Sequence, residues 1–299
     1  MATSAEPAAT TDLAANPRGR RDRAGAWRPV LVHGGLILGA LLMIYPLLWL
    51  ASSSFKPANL IFSDLSLWPA RFRPQNYSDG WRGAALPFST FFLNSFIISG
   101  LAVVGNVLAC SLVAYAFARL NFAFKKALFA LMLTTIMLPL HATLIPQYAL
   151  FYKLGWVNTY LPLVVPKFLA VDAFFIFLMI QFIRGIPREL DEAATLDGAG
   201  PFRIYWFVIL PLLTPALVTT AVFSFIWTYQ DFLPPLVYLT SMDLYTVPQG
   251  LSLLNASKGS SSWGPLLAMS LLSLVPLFAV FFIFQKRLIE GVAATGLKG

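Results

Sequence analysis

The feature that excludes most folds is a series of apolar runs, each long enough to cross a bilayer as a helix and divided from the next by polar or basic residues. Six are legible: Val30 to Ala51, Ser89 to Phe117, Lys125 to Leu144, Leu161 to Ile183, Trp206 to Trp227 and Trp263 to Phe284. A helix over the first extends roughly 33 Å at about 1.5 Å per residue, against a hydrocarbon core of about 30 Å. A cleaved signal peptide is the rival reading of that run, but the run is too long and its basic lead too extended. With 58% of residues hydrophobic and 11% charged, a water-soluble fold lacks the polar side chains to cover its surface. The expectation is an all-α integral membrane protein of six transmembrane helices.

The charges then set an orientation. Six spans bring both termini to one side. On that side fall Arg18, Arg20, Arg21, Arg23, Arg28, Arg119, Lys125, Lys126, Arg184, Arg188, Arg203, Lys286, Arg287 and Lys298. Opposite fall only Lys56, Arg71, Arg73, Arg82, Lys153, Lys167 and Lys258. The excess of basic residues places the termini in the cytoplasm. A net charge of +8 distributed this way reads as a topology signal, so nucleic-acid binding is not expected. Residues 1–29, rich in Ala, Thr, Pro and Arg without apolar periodicity, read as a disordered cytoplasmic tail, 30–288 as the membrane domain and 289–299 as a second tail. Residues 52–87 and 230–262 read as external loops.

Between the fourth and fifth runs lies a polar island, Pro187 to Pro211, within a loop spanning 185–211. Pro187 suits a helix start, Glu189, Asp191 and Glu192 suit the positive end of its dipole, and Gly198 suits a left-handed stop. Pro201 opens a second helix after a tight turn. Leu190, Ala193 and Ala194 are expected on one face, which would let another surface approach closely.

These residues carry a resemblance. Glu192-Ala193-Ala194, three intervening residues, Gly198, nine intervening residues, then Val208-Ile209-Leu210-Pro211 resembles the EAA loop of permease subunits in binding-protein-dependent ABC importers; Val208 stands where that family usually has isoleucine. From Asn94 onward the chain is similar to carbohydrate-type permeases, especially the smaller six-span subunit of maltose-type systems. The resemblance implies that Glu192, Ala193, Ala194, Asp197 and Gly198 couple the chain to a separate ATP-binding subunit dimer. It also implies a sister permease forming a heterodimer, an extracytoplasmic solute-binding protein, and the inner membrane of a bacterium as location. The outer loop Tyr245 to Trp263 resembles the family's loop that docks the binding protein, with Asn255, Ser257, Lys258, Gly259 and Ser260 at its tip.

Catalytic chemistry is not legible. There is no G-x-x-x-x-G-K-[ST] phosphate loop, and neither His33 nor His141 has H-E-x-x-H spacing. No cofactor is therefore expected on this chain; ATP and Mg are expected at the partner ATPase. Cys110 is the single cysteine, which excludes an internal disulfide. Asp172 is the one carboxylate well inside an apolar run. It lines the solute pathway with Gln230 and Asp231 as companions, or pairs with Lys167, or packs as a neutral acid. The alternative to an ATP-driven importer is an ion-coupled secondary transporter, which wants more ionisable groups at mid-membrane and an internal repeat.

Overall fold

The structure is a computed structural model and describes residues 24–257 and 263–296. Among these residues every regular element is helical. The N-terminal tail through residue 23 and residues 297–299 lie outside them. The chain divides into two units, residues 1–48 and 49–299. The first holds most of α1 (Ala24–Ser53), whose stretch from Leu31 onward carries no formally charged residue. Its helix begins six residues earlier than the expected tail boundary at residue 30.

In the second unit α2 (Gln75–Gly83) lies within the first external loop, where no helix is expected from sequence. Then follow α3 (Phe88–Arg119), α4 (Lys125–Ile136), α5 (Leu140–Lys153), α6 (Leu161–Phe168) and α7 (Ala173–Gly185). The island contributes α8 (Glu189–Leu196) and α9 (Pro201–Ile204), continued by a π-helix at Tyr205–Ile209 and by α10 (Leu210–Leu212). The chain continues as α11 (Thr214–Gln230), α12 (Leu233–Tyr238), α13 (Val247–Ser257) and α14 (Trp263–Gly296). Four helical stretches are long and apolar enough to cross a membrane, and six if each of two bent pairs counts as one span.

The bent pairs are where the structure departs from uniform spans. The third run is two helices, α4 and α5, meeting at 105°. Pro139 causes the break, because it disfavours helical backbone in the residue before it and offers no N–H to continue the ladder. The fifth run does not begin at Trp206; Pro201–Leu212 meets α11 at 76°, at Leu213. The fourth run is interrupted between α6 and α7. Pro166 sits in the last turn of α6, and Ala170 adopts a left-handed φ of 54°. Such a conformation costs an alanine about 1–2 kcal/mol, and packing of Ala170 against the core must offset it. At the other end α14 continues as helix to Gly296, into the segment expected as the C-terminal tail.

α3 is the axis on which the second unit is assembled. Towards its C-terminal end Cys110, Ala114 and Tyr115 pack with Phe175, Met179, Ile180 and Ile183 of α7 and with Ile204, Tyr205 and Ile209 of the island. Towards its N-terminal end Phe88 and Phe91 pack with Tyr229, Val247, Leu254 and Met269. Asn106 Nδ2 donates to Ser224 Oγ at 2.9 Å across α3 and α11, a polar bond that fixes their register inside an apolar interface. Gly105 lets α6 come close: a Cβ there would lie 2.8 Å from Phe168 and 2.9 Å from the Lys167 backbone.

Candidate functional site

The island builds a short surface helix with defined ends. Glu189, Asp191 and Glu192 stand in the first turn of α8, where the dipole favours negative charge, although no side chain caps it. Its first turn starts at Glu189, so Pro187 leads into the helix rather than opening it. At the other end Gly198 takes φ 81°. Ala199 N donates to Ala194 O at 2.9 Å and Gly198 N to Thr195 O at 3.0 Å, the paired bonds of a Schellman stop. Pro201 then opens α9, as its fixed φ allows.

Glu192, Ala193 and Asp197 are exposed, and so are Leu190 and Leu196, the last at 90%. The expectation that both alanines share the outer face is corrected. Ala194 turns inward against the α3–α7 core, because consecutive residues stand about 100° apart around a helix. The outward surface of α8 is therefore Leu190, Ala193 and Leu196 flanked by Glu192: apolar residues in a charged rim, on a helix with almost none of its own side chains buried.

Three residues of α3, four apart and so on one face, hold this island. Ser111 Oγ lies 2.8 Å from the Tyr205 hydroxyl, Tyr115 OH donates to Pro201 O at 3.0 Å, and Arg119 Nη2 donates to Ile186 O at 2.7 Å. Arg119 Nε also lies 2.8 Å from Asp191 Oδ2, close in charge though without the alignment of a hydrogen bond. Burial pushes the Asp191 carboxyl up from its ordinary value, while Arg119 and Arg188 pull it down less strongly. Sequence reasoning missed these contacts. The available signal was a hydroxyl, a phenol and an arginine at four-residue spacing on the last turns of an otherwise apolar span.

The second cluster is the helix break. Asp172 does not sit in a continuous helix; it is the residue just before α7, and its carboxylate accepts from Lys167 Nζ at 3.0 Å. Both side chains keep about a quarter of their surface exposed, at 27% and 28%, so the pair is not sealed within the core of this chain. Asp231 follows the last residue of α11 within range of the Lys167 charge, and Gln230 is exposed beside it. Trp227, stacked on Phe175 at 5.2 Å and tilted against Phe174, brings the end of α11 to the start of α7. An apolar groove of about 360 Å³, lined by Leu108, Leu112, Phe168, Leu169 and Ala170 among others, borders the break.

At the far end of the unit, Asn255 is exposed in the last turn of α13 and Ser257 ends that helix, so these two lie on a helix rather than in the expected loop tip. Lys258, Gly259 and Ser260 lie outside the described residues. The rest of the 230–262 segment is fastened down: Asn94 Nδ2 donates to Asp243 O at 2.7 Å and to Tyr245 O at 2.8 Å, and Ser95 Oγ accepts from Val247 N at 2.8 Å.

Comparison with known proteins agrees with this architecture. Residues 105–293 match the family described as binding-protein-dependent transport system inner membrane component. The chain is 32% identical over 270 residues to the trehalose/maltose transport system permease protein of Thermococcus litoralis, covering 90% of this chain and 97% of that one. It is 34% identical over 268 residues to the arabinooligosaccharides transport system permease protein of Halalkalibacterium halodurans, covering 89% and 95%. Among solved structures it resembles a chain of a bacterial ABC transporter involved in the import of the acidic polysaccharide alginate, with a TM-score of 0.78 over 89% of this chain and 98% of that one, at 22% identity.

Proposed function

The chain belongs to the family of binding-protein-dependent transport system inner membrane components, and from that premise we propose that it is the translocation-pathway subunit of an ATP-driven sugar importer. Its solute is an oligosaccharide or a related polyol or phosphodiester, a class suggested by the names of relatives that carry trehalose, maltose and arabinooligosaccharides. The observation that carries the reading is α8: a helix defined at both ends, presenting Leu190, Ala193 and Leu196 outward and gripped from behind by α3. A face of that kind is suited to a partner rather than to water. The partner in this reading is an ATP-binding subunit dimer, which uses ATP and Mg; this chain binds neither.

In this account Glu192, Ala193, Ala194, Asp197 and Gly198 form the coupling loop, with Ala194 acting from the inner side. Residues 30–288 form the permease domain of a heterodimer with a sister permease in a bacterial inner membrane, both termini cytoplasmic. An extracytoplasmic binding protein docks at the opposite end, where Asn255, Ser257, Lys258, Gly259 and Ser260 belong to its footprint. The pathway opens alternately to either side. Asp172, Gln230 and Asp231 line it, a reading supported by the partly exposed Lys167–Asp172 pair beside irregular backbone, which a membrane protein tolerates where it is buried in protein or lines a water-filled cavity. The test is co-purification of the partner polypeptides, followed by a survey of which solutes allow the binding protein to stimulate ATP hydrolysis. Purification as a complex without any ATP-binding subunit would refute the assignment.

A further inference from the structure

Each contact between α3 and the island lands on a different part of it. Arg119 reaches the entry at Ile186 and the first turn of α8 at Asp191; Tyr115 reaches Pro201 where α9 opens; Ser111 reaches Tyr205 where the π-helix starts. The island therefore does not hang from its two ends alone. It is pinned along its length to a single helix, which also packs against α6, α7 and α11. Higher on α3, Gly105 touches Phe168 and the Lys167 backbone, and Asn106 is bonded to Ser224.

We propose that Arg119 is a positioning residue that carries displacement of α8 into α3, and through α3 to the broken helix at Lys167–Asp172. This rests on the reading of α8 as the surface that an ATPase moves. The plain alternative is that Arg119 is a basic residue complementing the dipole at the C-terminal end of its helix. Such a residue extends into water. Arg119 is instead 6% exposed and aimed across to a carboxylate that is itself 18% exposed. A pair withdrawn this far from water is weakly screened, and removing one partner strands the other. The planar guanidinium also spans two targets at once, a backbone carbonyl and a carboxylate, which a lysine ammonium on a flexible stem does less well. Its hydrogen bond to Ile186 O is charge-assisted, which makes this contact stiff as well as specific.

The test uses the assembled transporter in proteoliposomes, reading solute imported per ATP hydrolysed with binding protein present. Arg119→Gln is expected to assemble and hydrolyse ATP while importing at least tenfold less solute per ATP, with Arg119→Lys intermediate. Asp191→Asn is expected to behave similarly, and the double variant to be no worse than either single one, since both remove the same link. Full stoichiometry in Arg119→Gln overturns the inference, as do strictly additive effects in the double variant. If Arg119→Gln does not assemble, Tyr115→Phe decides: it deletes one hydroxyl at the same face and is expected to lower the solute-to-ATP ratio several-fold, and an unchanged ratio overturns the link. Wild-type protein that imports without ATP would instead refute the proposed function, leaving the two failures distinguishable.

Discussion

At the scale of single residues, Gly198 shows how a local conformational demand becomes functional. A Cβ built there meets nothing within 4 Å, so the demand is purely one of backbone: φ is 81°. Alanine would cost about 1–2 kcal/mol locally, and the Schellman stop that orients α8 would loosen. Gly198→Asp is expected to leave the protein in the membrane at normal amount while uptake is lost, measured by immunoblotting of membranes beside transport assays. Normal uptake with intact complex would show that the stop does not matter. Asp172 makes a subtler prediction. Asp172→Asn keeps an acceptor for Lys167 but removes the negative charge opposite it, so apparent solute affinity or selectivity should shift while ATPase stimulation survives. Loss of the assembled protein would mark the ion pair as structural, and no change in either would remove Asp172 from the pathway. That carboxylate was legible in the sequence as an oddity, but its setting was not. Hydropathy reads Leu161 to Ile183 as one span despite Lys167 and Asp172, and nothing in it foretells the left-handed Ala170, a residue with no preference for that conformation, at which the run divides into two helices.

At the scale of elements, proline acts unevenly. Pro139 divides the third run, because it disfavours helical backbone in the residue before it, whereas Pro166 is accommodated in the last turn of α6. The polar island was the most legible element, since acidic first turn, glycine stop and proline restart all obey local rules that need no tertiary contact. The outer loops were least legible. Segment 54–87 looks irregular in sequence, yet Lys56 is fully buried and donates to Asp64 O and Ser66 O, both at 2.6 Å, making an ammonium the centre of a carbonyl cage. Bonds from the Ser66 hydroxyl and N–H hold the Asp64 carboxyl below its ordinary value. A lowered folded-state pKa contributes stability above the unfolded value, which is lost as pH falls through the folded one. Protection of residues 54–73 against hydrogen exchange, taken relative to the intrinsic rate at each pH, is thus expected to fall as pH drops through the lowered carboxylate range and to hold steady above it. Protection that does not change through the acid range would contradict that role for Asp64. A packing prediction belongs here too. Gly105→Leu collides with Phe168 and the Lys167 backbone, and such overpacking costs about 1–3 kcal/mol. The variant should unfold at lower temperature in detergent, and an unchanged midpoint would show that α3 and α6 have slack between them.

At the scale of the whole molecule, α3 joins two features of the second unit: the exposed helix α8 and the break between α6 and α7. Membrane class was legible because the apolar content leaves no soluble alternative. Partners are suggested by the sequence only through resemblance, of the island for an ATPase and of the outer loop for a binding protein, since a sequence that lacks a phosphate loop says nothing by itself about who supplies the ATP. Deleting residues 257–262 should weaken stimulation of ATP hydrolysis by the binding protein while sparing assembly; unchanged stimulation would remove that segment from the docking surface. The most direct measurement of the central claim is solute uptake into proteoliposomes holding the purified complex, with ion gradients clamped and ATP alone varied. Import that appears with ATP and stops on its depletion is the predicted result. Import that continues without ATP and follows an imposed ion gradient would contradict the account.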